Sequence, residues 1–238
     1  SEQEGWQEGT EGIDYAHKEK FKWISAIRLP DYGFDAWIRA NSEEADSLKD
    51  FTRADLLFSL FGLNCGLCPM HLDGYCPGCG GGEGNQSCKI ARCSLQHGKV
   101  EYCSQCQEFP CEKYEEIDAV DSLITHQNQK KDLERQQEAG AEAYRAEQEE
   151  KIRSLKWLLQ NCNDGRKKSF FCVAVNLLPV EDIRNVLKQA ESDDDFEDLS
   201  LKEKAAYMAV RFQKIADEQG ILLKLRKKQG KDDSHRLK

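Results

Sequence analysis

Nine of the eleven cysteines lie in the stretch from Cys65 to Cys111, and this stretch constrains the fold more than any other part of the chain. It contains three C-x2-C pairs, and two intervening residues allow both thiolates of a turn to reach one cation. So short a stretch buries little apolar surface, so we expect metal to supply much of its folding free energy. The candidate metal ligands are Cys65, Cys68, Cys76, Cys79, Cys88, Cys93, Cys103, Cys106 and Cys111.

The second pair has the most specific local sequence. Cys76-Pro77-Gly78-Cys79-Gly80 has the C-P-x-C-G form of a metal knuckle. Pro77 restricts φ to about −65°, and Gly80 can adopt a positive φ because it has no Cβ. The sequence therefore predicts a tight turn whose backbone N–H groups point at the first sulfur of the pair and stabilise its negative charge.

Tetrahedral zinc takes four ligands, so the cysteines predict two zinc ions and one cysteine left over. Nearest-neighbour pairing assigns Cys65, Cys68, Cys76 and Cys79 to one site and four of the five later cysteines to the other. An interleaved arrangement, in which the first pair joins a later pair, stays open. His71 and His97 also lie in the stretch, and each could replace one sulfur.

The type of metal centre decides which function is expected. Structural zinc is the common use of repeated C-x2-C pairs and predicts an interaction or scaffold protein. An iron–sulfur cluster uses the same thiolates, so a redox or electron-transfer protein is the alternative. A disulfide framework is disfavoured, because nine is an odd number and an oxidising compartment would be needed. Neither an H-E-x-x-H nor a zinc-deaminase signature is present, which argues against a metal-dependent enzyme.

Several motifs of the stretch occur together in one known family. They are C-G-L-C-P at Cys65, Y-C-P-G-C at Tyr75, and Y-C-S-Q-C-Q-E-F-P-C-E-K-Y, which begins at Tyr102. From Asn64 to Tyr114 the chain resembles an uncharacterised bacterial family catalogued as domain of unknown function 3795. In that family the first pair usually reads C-G-x-x-C. The corresponding C-G-L-C of this chain, from Cys65 to Cys68, is one residue shorter. The resemblance implies a cysteine-rich, zinc-binding module and no known activity.

Charge and hydropathy limit the kinds of binding partner and the cellular compartment that we expect. The formal net charge is −9, and residues 65–111 carry 4 acids against 3 bases. The cysteine-rich stretch thus has no basic surface of the kind that nucleic-acid binders show, and we expect an unknown protein partner instead. No apolar run is long enough for a transmembrane helix. Ser1–Thr10 lacks the features of a secretory signal, so we expect a reducing cytoplasm.

The expected architecture is mainly α: a small irregular metal-thiolate module with flanking helices and a C-terminal helical bundle. The predicted divisions are an N-terminal, partly disordered lead-in (1–50), the cysteine-rich module (51–114), a helical domain (115–225) and a basic tail (226–238). Cys162 and Cys172 fall in the helical domain, where we expect a free thiol near a helix end and a small core residue.

Apolar periodicity places the individual helices. It predicts helices over Phe51–Phe61, Tyr114–Gln127, Ala141–Asn161, Val180–Ala190 and from Ser200 to about Gln219. Ser200 and Glu203 form a capping box. The polar stretch Asn128–Glu138 predicts either a solvated helix or a linker, and the apolar stretch Ser169–Leu178 either a buried helix or a strand.

Overall fold

A computed structural model describes Leu48 and residues 51–82 and 88–227. The expected lead-in lies outside these described residues, apart from Leu48. The expected basic tail also lies outside them, apart from residues 226 and 227. Within them the fold is mainly α, as predicted, and contains no strand. The helices are α1 (Pro69–Leu72), α2 (Lys89–Gln96), α3 (Gln129–Ala139), α4 (Ala141–Asn161), α5 (Lys168–Leu177), α6 (Val180–Glu191) and α7 (Leu201–Glu218).

The main hydrophobic core lies around α4, which packs against α3, α5 and α6. Leu155 and Leu158, one turn apart on α4, are fully buried with Phe171 of α5 and Phe212 of α7. The predicted capping box starts α7, since the Ser200 side chain accepts the Glu203 N–H and Glu203 accepts the Ser200 N–H. The open choice at Ser169–Leu178 is settled as a helix, buried because it is apolar on nearly every face.

The cysteine-rich stretch packs directly on this helical core. Leu67 is fully buried within the main hydrophobic cluster. The preceding residue, Gly66, approaches α4 so closely that an added Cβ would lie 2.4 Å from Ile152 Cδ1. The 3₁₀ turn Cys65–Leu67 is thereby held on a helix that belongs to the predicted helical domain.

The helix predicted over Phe51–Phe61 is wrong. This segment forms bends and turns, because its polar groups pair with each other locally and with distant segments. Asp55 Oδ1 accepts the N–H groups of Leu57 and Phe58, and Leu57 O accepts the Gly66 N–H at 2.9 Å. The apolar side chains that suggested a helical stripe do not share one face, since Leu57 packs on the main hydrophobic core and Leu60 and Phe61 on a separate cluster.

The helix predicted over Tyr114–Gln127 is also wrong. A 3₁₀ turn covers Glu112–Tyr114, and turns and irregular backbone follow to Asn128. Glu116 has a φ of +54°, outside the helical region. The buried Asp121 carboxylate accepts the backbone N–H groups of His126 and Arg226, which ties this segment to the C-terminal residues. No helix in the described part of the chain is long and apolar enough to cross a membrane.

Candidate metal centre

The knuckle at Cys76–Gly80 has the local geometry that its sequence predicts. Gly78 and Gly80 both have positive φ, +94° and +89°, and an added Cβ on Gly78 would lie 2.4 Å from Leu56 O. Glycine is therefore needed at Gly78 for conformation and for space. The turn directs the Cys79 N–H at the Cys65 thiol, where this hydrogen bond partly offsets the rise in that thiol's pKa.

Cys65, Cys68, Cys76 and Cys79 form the first thiol group. Burial raises the pKa of Cys65 to about 12, and negative charge on the other three thiols adds to that rise. Such mutual influence requires the sulfurs to be near neighbours. The elements that hold them are the 3₁₀ turn Cys65–Leu67, the start of α1 and the knuckle.

Cys93, Cys103, Cys106 and Cys111 form the second thiol group. They line one cavity, together with His97 and Tyr114, whose volume of about 20 Å³ leaves room for about one water-sized species. Burial raises the pKa of Cys103 to about 12, and charge on Cys111, Cys93 and Cys106 raises it further. Helix α2 and the 3₁₀ turns Cys103–Gln105 and Glu112–Tyr114 position these residues.

Three cysteines are left over from the two groups. Cys88 caps the N-terminus of α2, where its Sγ accepts the Ala91 N–H at 3.5 Å. Its charge also raises the pKa of Cys79, as the charge of Cys68 raises the pKa of Cys172, so Cys88 and Cys172 lie close to the first group. Cys162 and Cys172 are buried in the main hydrophobic core. Nearest-neighbour pairing, with Cys88 as the ninth cysteine of the stretch, stays a prediction.

Neighbouring thiols are not yet a coordination sphere. Among the described residues, no three His, Cys, Asp or Glu side chains converge closely enough to hold a metal ion. The pKa effects indicate which thiols are near one another. Metal binding at either group would require its sulfurs to draw together.

The two histidines of the stretch have other contacts. His71 Nδ1 lies 2.9 Å from the carbonyl oxygen of Cys76, so it stabilises the turn before the knuckle. His97 ends α2, where its backbone N–H bonds to Cys93 O. Its Nε2 is 3.9 Å from Glu108 Oε2. His97 also lines the second cavity.

Two polar groups lie buried beside the thiols. Arg53 Nη2 is 3.4 Å from Glu101 Oε1. Its positive charge opposes the burial that raises the pKa of Cys79. The Tyr114 hydroxyl lies beside Cys103 at the second cavity, where its interaction with that thiol opposes the rise in the thiol's pKa. A cation and a hydroxyl donor in these positions fit thiol groups that carry negative charge.

A buried polar network on α3 and α4 was not predicted. Asn64 donates to Asp132 Oδ2 at 2.8 Å and accepts from the Tyr144 hydroxyl at 3.0 Å. The nearby Lys151 donates to Asn176 O at 3.3 Å. Burial raises the pKa of Asp132 to about 6 and lowers that of Lys151. Because Asn64 directly precedes Cys65, the network anchors the first thiol group to the helices.

The sequence did contain a signal for this network. Asn128–Glu138 was predicted to be a solvated helix or a linker, whereas the structure has a helix whose buried residues are Gln129, Asp132, Leu133 and Gln136. These positions have the i, i+3, i+4, i+7 spacing of a buried face. Three of the four are polar, so hydropathy alone did not identify the face.

No family model, curated protein or solved structure matches this chain. The resemblance to the uncharacterised bacterial family therefore stays a prediction.

Proposed function

We propose that this chain is a zinc-binding protein in which two tetrathiolate sites hold a module for protein interaction or scaffolding. The observation that carries the proposal is the division of eight thiols into two groups of four. One group consists of Cys65, Cys68, Cys76 and Cys79, and the other of Cys93, Cys103, Cys106 and Cys111. Four thiolates complete a tetrahedral zinc sphere and leave no position for substrate, which is typical of structural sites.

The surroundings of the thiols support this assignment. Backbone N–H groups of Cys79 and Leu60 donate to the sulfurs of Cys65 and Cys79. The buried Arg53 guanidinium adds positive charge beside Cys79. These groups stabilise thiolate over thiol, the form that binds metal. Zinc, when bound, would cross-link each group and contribute on the order of 10 kcal/mol to the stability of the folded module.

Single Cys→Ser variants test the ligand assignment. Purified under reducing, oxygen-free conditions, the wild type should contain two zinc ions per chain. Cys79→Ser and Cys106→Ser should each lose one, because each removes a ligand from a different group. Cys88→Ser is the matched control within the same stretch and should retain both. Loss of zinc from Cys88→Ser, with full zinc in Cys79→Ser, would refute the grouping.

The metal itself is tested separately from the grouping. Iron with acid-labile sulfide and visible absorption would replace the zinc proposal with an iron–sulfur redox function, since the same thiolates serve both. A Cys162→Ser variant is the control for loss of a thiol outside the cysteine-rich stretch, because this cysteine is buried in the helical core. Its metal content should equal that of the wild type.

A further inference from the structure

Arg53 hydrogen-bonds to the backbone of one residue of the first thiol group and to the segment that leads into the second group. Its side chain is 1% exposed. Nη1 donates to the carbonyl of Cys79, in the first group, at 3.3 Å. Nε donates at 3.0 Å to the carbonyl of Glu101, two residues before Cys103 in the second group. Nη1 also donates to Phe58 O at 2.9 Å. One guanidinium thus fixes both segments relative to each other.

A single peptide segment makes a second connection between the groups. The backbone N–H of Leu60 donates to the Cys79 sulfur. The backbone carbonyl of the same residue accepts the Cys103 N–H at 2.8 Å. Leu60 is fully buried, so its segment cannot shift freely to suit one group alone. A displacement of Cys79 is transmitted through Leu60 to Cys103.

The knuckle is also pressed directly against Arg53. An added Cβ on Gly80 would lie 2.9 Å from the Cβ, Cγ and backbone N of Arg53. The Arg53 guanidinium carbon in turn lies 5.4 Å from the centre of the Tyr102 ring, next to Cys103. Close packing on both sides makes the arrangement rigid, since neither segment has space to move alone.

We propose that Arg53 is a positioning residue that couples the two metal sites, so that zinc binding at one group of thiols favours binding at the other. This inference rests on the proposed zinc function. The sulfurs of each group must draw together to bind, and drawing Cys79 inward moves the same segments that hold Cys103. The first ion therefore moves the shared Arg53 and Leu60 segments towards their zinc-bound positions, and the second ion binds to a site that has already shifted in the direction it requires.

Native mass spectrometry of the wild-type chain with one equivalent of zinc tests the coupling without any variant. Independent equal sites would place about half of the chains in the one-zinc form, and sites of unequal affinity would place more there. Coupled sites raise the populations of the empty and two-zinc forms and lower that of the one-zinc form. We expect the one-zinc form to fall well below half. A one-zinc population at or above half would overturn the proposal.

Variants then test whether Arg53 carries the coupling. Affinity of the second group, measured in Cys79→Ser by chelator competition, should be about tenfold weaker than in the wild type. Arg53→Gln should weaken it similarly, and the double variant should show little additional loss. Arg53→Lys should partly restore the coupling by retaining the charge. Arg184→Gln is the control, because Arg184 pairs with Glu150 and Glu181 far from the thiols along the chain.

The outcomes separate the two proposals. A chain that binds no zinc refutes the proposed function itself. A chain that binds two zinc ions, with Arg53→Gln folded by circular dichroism and its second-group affinity unchanged, refutes only the coupling. Spectra of the cobalt-substituted variants provide a further readout, since thiolate-to-cobalt absorption reports each ligand sphere and would not respond to a purely structural loss elsewhere.

Discussion

Gly62→Ala should destabilise the fold at the point where the cysteine-rich stretch docks on α3. Gly62 has a φ of +97°, and an added Cβ would lie 2.3 Å from the carbonyl oxygen of Gln129 and 3.3 Å from Leu133 Cβ. The obstacle is helix backbone, which cannot rotate away. Gln129 also donates to Phe61 O at 2.9 Å, so moving the segments apart would break this hydrogen bond.

The magnitude has two parts. A positive φ costs an L-residue such as alanine about 1–2 kcal/mol. Forcing a methyl group into a packed site costs about 1–3 kcal/mol more. We therefore expect Gly62→Ala to lower the free energy of unfolding by about 2–5 kcal/mol. Gly165→Ala is the matched control, because Gly165 has a φ of +85° and no atom within 4 Å of an added Cβ.

The assay is urea unfolding of both variants, followed by circular dichroism at equal zinc and reductant. In Gly165→Ala the free energy of unfolding should fall only by the cost of the positive φ, about 1–2 kcal/mol. Because urea lowers the free energy of unfolding by about 1–3 kcal/mol per molar, the midpoint of Gly62→Ala should lie roughly 1 M below that of the control. Equal midpoints would refute the close docking of Gly62 on α3.

Three further predictions concern the helical core and the polar network. Burial raises the folded-state pKa of Asp132 to about 6, so the folded state holds this proton more tightly than the unfolded state does. The free energy of unfolding should therefore fall by on the order of 3 kcal/mol as pH rises from about 4 to about 6. Asp132→Asn should remove this pH dependence in urea titrations, and an unchanged slope would contradict the assignment. Tyr144→Phe should lower the free energy of unfolding by about 1–2 kcal/mol, because Asn64 Oδ1 loses its donor. Tyr75→Phe is the control and should change that free energy little, since Tyr75 is 75% exposed. Equal effects of the two changes would refute the network. Leu155→Ala, at a fully buried position of α4, should lower the free energy of unfolding by about 3–5 kcal/mol through cavity formation, and a loss below about 1 kcal/mol would mean that α4 is not central to the core.

Helices with strong local signals were predicted correctly from the sequence. Val180–Glu191 and Leu201–Glu218 have apolar periodicity, and the second also has a capping box at Ser200. In these segments propensity, periodicity and capping indicate the same structure. Long α4 was predicted for the same reason, from its regularly spaced aliphatic residues.

Segments next to the cysteines were mispredicted because distant contacts override local periodicity. Phe51–Phe61 contains leucines at helical spacing, but its carbonyls accept N–H groups from Gly66 and Cys103. No local pattern reveals such partners. The same holds for residues after Tyr114, where Asp121 binds the distant Arg226.

The candidate site was predicted as a set of cysteines, and its internal grouping required the structure. Spacing left the interleaved arrangement and the ninth cysteine open. Only the folded positions show Cys88 capping α2 and four later thiols lining one cavity, and the division into two metal sites stays a proposal. The role of Arg53 was beyond sequence reasoning, because its partners Cys79 and Glu101 are 26 and 48 residues away along the chain.

The most direct test of the account is the metal content and visible spectrum of the full chain purified without oxygen. The account predicts two zinc ions per chain, no iron and no visible absorption. Iron with acid-labile sulfide and a brown colour would contradict it and indicate electron transfer. A folded chain that neither contains zinc nor binds it when zinc is added would contradict it as well.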